Sequence, residues 1–187
     1  MNEQAPLPYR VAVQALMRCV ASTAGLLAAR RIHLPQKHGG MRLRFANGAS
    51  ARVYRETAVD GTPADPCVLV VEFRLRLVRG WGHALFRWES LLNTPLFVGF
   101  PGFVSKLWLA NDEYGVYRGV YEWDGPARAE HYARSLWRVL ALVSEPRSIH
   151  YRVLPGLRRD ALLAEPRLLD AMPDATTAWW RPTEVAA

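Results

Sequence analysis

Cysteine and lysine are nearly missing from this chain. Its 187 residues include 2 cysteines, Cys19 and Cys67, far apart and in unlike surroundings, with no Cys-x-x-Cys pair. That spacing argues against a zinc site or a dithiol motif, and no metal site is expected. Two reduced, partly buried thiols in a cytoplasmic protein are expected instead. Lysine stands only at positions 37 and 106, so the net charge of +7 is almost wholly arginine. The arginines are scattered and no recognition motif accompanies them, so nucleic acid is not expected as a partner. There is no Gly-x-Ser-x-Gly, no phosphate-cradling glycine loop and no His-Glu-x-x-His. No internal repeat or low-complexity tract is present.

Tryptophan, by contrast, is plentiful, with 7 residues. Its large amphipathic ring suits cores, interfaces and ligand pockets alike. Hydrophobic residues make up 50% and charged residues 22%, ordinary proportions for a globular chain. The length is enough to bury a core without disulfides or metal.

Residues 11–29 form the longest apolar run, but Arg18 lies near its middle and Gln14, Ser22 and Thr23 dilute it. A spanning helix disfavours a central charge. Glu3 ahead of Arg10 does not suit a signal peptide. Two readings remain open: an amphipathic helix packed on the protein, or an interfacial helix (residues 8–31) with Arg30 and Arg31 at anionic headgroups, which would make the protein peripheral to a membrane.

Residues 33–40 read as a loop. Alternation in 41–45 and 51–57 about Asn47-Gly48 predicts a β-hairpin, and 60–66 is a turn-rich link. Residues 1–66 are therefore expected to be a helix-plus-hairpin extension. In 67–78, Val71, Phe73, Leu75 and Leu77 alternate with Glu72, Arg74 and Arg76, a strand pattern. Leu85, Trp88, Leu91 and Leu92 share a helical stripe within 82–92. Strands are predicted at 103–110 and 115–123, joined so tightly that they must pair antiparallel. A helix over 127–143 follows, with Asp124 or Gly125 as its cap and Pro126 in its first turn, and Pro146 ends it. A last strand is expected at 148–155. The order strand, helix, strand, strand, helix, strand over 67–155 is the split βαβ pattern of an α+β, ferredoxin-like domain. Residues 156–187 are a proline-bearing tail expected to wrap the surface or a partner.

The stretch 100–137 carries a Pro-Gly element, a lysine-bearing strand, a turn, a Gly-x-Tyr strand and a Tyr-bearing helix. The residues concerned are Pro101, Gly102, Lys106, Trp108, Gly119, Tyr121 and Tyr132. In this it resembles the YdhR-type monooxygenase-like proteins of the dimeric α+β barrel superfamily. The resemblance implies a homodimer whose sheets face each other and a pocket between sheet and helices in each protomer. It also implies, for some members, oxidation of aromatic polyketides or quinols by O₂ with no cofactor.

Such chemistry needs an apolar pocket with aromatic walls and a polar group that deprotonates and orients a phenol. Tyr117, Tyr121 and Trp123 share one strand face with Gly119, whose missing side chain leaves room for a ligand ring. Trp108 and Lys106 share a face of the preceding strand. These rings, expected to bind substrate, suit a plain core or a dimer interface equally well. His83 and Arg87, four apart on a helix, are the expected catalytic pair at the pocket mouth: His83 as proton acceptor, Arg87 as anion stabiliser. His131 is expected to be solvated and His150 to pair with Glu72 or face the barrel side. Val71, Phe73, Leu75 and Val120 are expected on the sheet face away from the helices, covered by a two-fold partner or by the 41–57 hairpin. The function expected is binding, with cofactor-independent oxidation, of a small apolar or aromatic molecule. The alternative is a non-catalytic binding or assembly module.

Overall fold

The computed structural model describes residues 5–76, 94–145, 147–170, 172 and 177–186. Helix α1 spans Tyr9–Ala28, followed by strands β1 (Ile32–His33), β2 (Arg42–Phe45), β3 (Ser50–Val59) and β4 (Pro66–Arg74). Strands β5 (Phe103–Leu109) and β6 (Val116–Asp124), helix α2 (Pro126–Val143), strand β7 (His150–Pro155), helix α3 (Arg159–Ala164) and strand β8 (Pro182–Ala186) complete the chain. The strand expected at 67–78 is regular to Arg74, with a bridge from Leu75 to Ser144. The helix expected at 82–92 lies outside the described residues.

The strands form one antiparallel sheet in the order β7-β4-β6-β5-β3-β2-β8, with β1 on β3. Within it, β7-β4-β6-β5 has the strand order of a ferredoxin-like α+β fold: the first and third strands of the unit are central, the fourth and second flank them. The hairpin β2–β3 extends this sheet rather than standing apart, since β3 pairs with β5 from Val53↔Leu109 to Ala58↔Ser105. The tail extends it again, with β8 on β2. At the hairpin turn Gly48 has φ +88°, a conformation glycine adopts without strain. The Asn47 side chain accepts the Ala49 N–H there at 3.2 Å.

Central strands buried on both sides read as continuous apolar runs. In β4, Cys67 through Val71 are all buried. Val68 and Val70 turn to one face, against Leu43, Phe45, Val53, Leu107, Val120 and Leu154, and beneath Leu162, Leu163, Leu169 and Trp180 of α3 and the tail. That face is thus covered by the chain's own hairpin and tail. Leu69 and Val71 turn to the other face, with Trp108, Tyr121 and Tyr132. The pairs Val71↔Gly119 and Phe73↔Tyr117 fix this phase. It corrects the expectation for Val71, Phe73 and Leu75, which lie on the helix side; of the four residues named, only Val120 points the other way.

Helix α2 starts at Pro126 after Gly125 at φ +99°. Asp124 does not cap it; its carboxylate accepts the N–H groups of Ala64 and Asp65 at 2.8 and 2.9 Å and so fastens the loop before β4. Residues Ala5 and Leu7 run along α2, accepting bonds from Arg134 and Arg138. Helix α1 packs on α2 and on the segment Thr94–Leu96, where Cys19 and Thr23 donate to the Pro95 carbonyl at 3.2 and 3.3 Å. Gly99 makes this second contact possible: a Cβ there would stand 2.0 Å from the Cys19 carbonyl oxygen. Both cysteines are free and buried, and burial pushes the Cys19 thiol up to about 11 and the Cys67 thiol to about 12.

The hairpin is locked to the tail by a buried charge cluster. Arg159 donates to Glu56 at 2.7 Å, and His38 Nδ1 lies 2.8 Å from the other Glu56 oxygen. Partial burial works to raise the Asp160 carboxyl, but hydrogen bonds from Lys37 and Arg159 outweigh it and hold the group at about 2. Removing one partner of a buried pair costs about 3–5 kcal/mol. Arg159→Met should therefore lower unfolding stability by about 3 kcal/mol in urea titrations, and Glu56→Gln added to it should recover part of the loss. Because the Asp160 carboxyl is lowered in the folded state, its contribution is present above the ordinary carboxylate range and fades as pH falls towards 2. Asp160→Asn should remove that portion of the acid dependence; an unchanged profile would show the cluster to be inert.

Candidate active site

A cavity of about 670 Å³ opens between the helix-side face of the sheet and α2. That is in the range of small-molecule pockets. Its floor comes from alternate residues of β4, β5 and β6: Val71 and Phe73, Lys106 and Trp108, Tyr117, Gly119 and Tyr121. Tyr132, Leu136, Val139, Leu140 and Val143 from α2 form the roof, and Tyr54, Leu96 and Phe97 close one side. Apart from the tyrosine hydroxyls, Lys106, Arg76 and Arg118 supply its only polar side chains among the described residues. Arg118 is already committed to Asp112 and to Glu72, the latter at 3.0 Å. Arg76 donates to the Ser144 carbonyl.

Trp108 is held in place by its indole N–H, which donates to Thr57 Oγ1 at 3.1 Å. Phe97 meets it edge-on at a centroid distance of 5.2 Å. Tyr117 stacks on Phe73 at 5.8 Å. Gly119 has a reason other than open space. A Cβ at that position would stand 2.7 Å from the ring of Tyr121, which folds back across it. The room Gly119 leaves is thus taken by Tyr121, whose ring would be pushed into the cavity by any larger residue. Tyr132 donates its hydroxyl to that of Tyr121 at 3.1 Å. Burial raises both phenols well above their ordinary value, so both stay neutral.

Trp123 lies deeper. It is fully buried between Phe103 and Tyr132, at centroid distances of 5.6 and 4.8 Å, and does not line the cavity. The structure thus brings Trp108, Tyr117, Gly119 and Tyr121 to one wall and leaves Trp123 in the core behind it. His83 and Arg87 lie outside the described residues. His131 is exposed near Phe100, and His150 pairs with Glu72 at 3.3 Å. Tyr54 and Phe97 also reach the cavity; Tyr54 lies opposite Val53 in the alternation of β3, and Phe97 follows the turn at Thr94–Leu96, outside any regular apolar pattern.

Lys106 is the unusual member. It is 6% exposed, and its ammonium position lies 3.1 Å from the Trp108 ring centre, 4.6 Å from Phe97 and 4.8 Å from Tyr121. Burial, and then the positive charge of Arg55, lower its pKa well below the ordinary lysine value. Ring faces favour the charged form by about 2 kcal/mol when desolvated. Burial opposes this and is the larger effect, so the amine holds its proton less tightly than an ordinary lysine.

No family model and no curated protein matches this chain. Among the solved structures similar to it at low level are the following three. One is an uncharacterized ferredoxin-fold protein related to antibiotic biosynthesis monooxygenases from Listeria monocytogenes, 14% identical over 59% of this chain and 66% of that one, TM-score 0.41. An anthrone oxidase-like protein is 13% identical over 59% and 55%, TM-score 0.39. A monooxygenase-like protein from Listeria innocua is 15% identical over 59% and 67%, TM-score 0.39. The strand order and the helices on one face of the sheet make this chain a ferredoxin-like α+β protein, with a cavity beneath α2.

Proposed function

We propose that the protein binds a flat hydroxyarene or quinol-like molecule in the cavity under α2 and oxidises it with O₂ without a cofactor. The observation that carries this reading is the 670 Å³ cavity, walled by Trp108, Tyr117, Tyr121 and Tyr132, with a single buried amine on its floor among the described residues. The aromatic faces suit ring stacking. In the reaction, the ring CH₂ that such a hydroxyarene carries in its keto tautomer, as in an anthrone, becomes C=O: one oxygen atom of O₂ enters the product and the other leaves as water with the two hydrogens. The substrate supplies all the electrons. The resemblance of residues 100–137 to YdhR-type monooxygenase-like proteins supports the same reading, and the anthrone oxidase-like neighbour fits it. The protein is proposed to be cytoplasmic.

Gly119→Ala tests the pocket. The added methyl should drive the Tyr121 ring into the cavity, weakening binding of a tricyclic substrate such as anthrone at least about tenfold, with a stability change below about 2 kcal/mol. The wild type should consume one O₂ per anthrone oxidised and the variant far less. Equal oxygen uptake by both would defeat the reading.

A second reading concerns α1. Its face away from α2 exposes Tyr9, Met17, Val20 and Leu27. Arg10, Arg18, Arg30 and Arg31 surround it, and no Asp or Glu occurs between Glu3 and Glu56. Arg31 meets Asp60, while the other arginines add positive charge beside the apolar side chains; that combination suits an anionic membrane surface, so we propose a peripheral attachment through this helix. Vesicles containing phosphatidylserine should sediment the wild type, and Met17→Glu with Leu27→Glu should abolish this without lowering the melting temperature. No sedimentation of the wild type would end the membrane reading.

A further inference from the structure

We infer that Lys106 is the proton acceptor of the cavity and that the preferred ligands are hydroxyarenes, bound as phenolates against the Lys106 ammonium. The inference rests on the pocket reading above and narrows its substrate class. Strand β5 places Lys106 on the floor by alternation with Trp108, and its partners across the sheet, Thr57 and Tyr121, share that face. Three rings stand beside the amine, and Lys106 lines the cavity. Among the described residues no carboxylate lines the cavity, and Lys106 makes no ion pair or hydrogen bond there.

The other titratable groups facing it cannot take its place. Arg55 of β3 is cationic, and Tyr54, Tyr121 and Tyr132 are phenols; burial holds Tyr121 and Tyr132 in the protonated form. Among the described residues the Lys106 amine, whose hold on a proton burial weakens, is the one base on these walls. When a hydroxyarene enters, its O–H proton passes to the amine, giving phenolate and ammonium; atoms and charge balance within the site. Two uncharged partners thus become an ion pair in a water-poor cavity, where the attraction is much stronger than in bulk water. The phenolate, richer in electrons than the phenol, is also the form that O₂ oxidises. An arene without the hydroxyl can stack on Trp108 but gains none of this.

Two probes and one variant decide the matter. With wild type near neutral pH, 1-naphthol should bind with the red-shifted absorption of naphtholate, and naphthalene should bind at least tenfold more weakly. In Lys106→Met, which keeps the side-chain length, naphthalene affinity should stay within about twofold. Naphthol should lose both its advantage and the naphtholate band. A measurement on wild type alone stands beside this: because the proton moves from ligand to lysine, calorimetry in two buffers of different ionisation heat should give equal binding heats. Release of one proton to the buffer, a neutral-naphthol spectrum in wild type, or a naphtholate band that survives in Lys106→Met would overturn the assignment, the last by placing the acceptor elsewhere, as at His83. If naphthalene binds while any of these occurs, only the role of Lys106 fails. If neither probe binds wild type, the pocket reading fails with it.

Discussion

A sheet whose central strands are apolar on both faces must be covered twice, and the rest of this molecule follows from that requirement. Cys67–Val71 of β4 point in alternation to two cores. One face is covered from within the chain by the β2–β3 hairpin, α3 and the tail that ends in β8. The other is covered by α2 and, behind it, α1. On the first face the side chains interlock, with Val68, Val70, Leu107 and Leu154 fully buried. On the second, a cavity lies between the sheet floor and α2, walled by large rings.

In the superfamily that residues 100–137 resemble, a second protomer covers the face opposite the helices. Here the hairpin and the tail take that position. The Glu56–Arg159 pair and His38 fix the two covering segments to each other. Buried ionic clusters of this kind contribute little net stability over apolar packing, but they specify which segments meet. A second copy is therefore not needed to keep Val70, Leu107 and Val120 from water.

Much of this was legible in the residues. Alternation around Asn47-Gly48 marks the hairpin, Pro126 after Gly125 marks the start of α2, and the order of elements over 67–155 gives the ferredoxin-like topology. What alternation gives is the phase of each strand by itself. It does not say which phase of one strand meets which phase of the next; the register Val71↔Gly119 does, and it moves Val71, Phe73 and Leu75 to the pocket side. Nor does it give depth along a face: Tyr121 and Trp123 share a phase, yet one lines the cavity and the other lies in the core. Gly119 was readable as a site of close approach, but what approaches is Tyr121. Lys106 was visible as a neighbour of Trp108; its burial depends on β3 and Phe97, far away in sequence.

The central claim is that the space beneath α2 accepts a flat aromatic molecule against Trp108. The most direct measurement is the set of indole N–H resonances in a ¹⁵N-labelled sample titrated with a naphthol. The Trp108 indole, which donates to Thr57 at the cavity wall, should shift progressively and saturate, while that of Trp180, in the core on the opposite face of the sheet, should stay in place. A Trp108 resonance that does not move at saturating ligand, or movement confined to Trp180, would contradict the account.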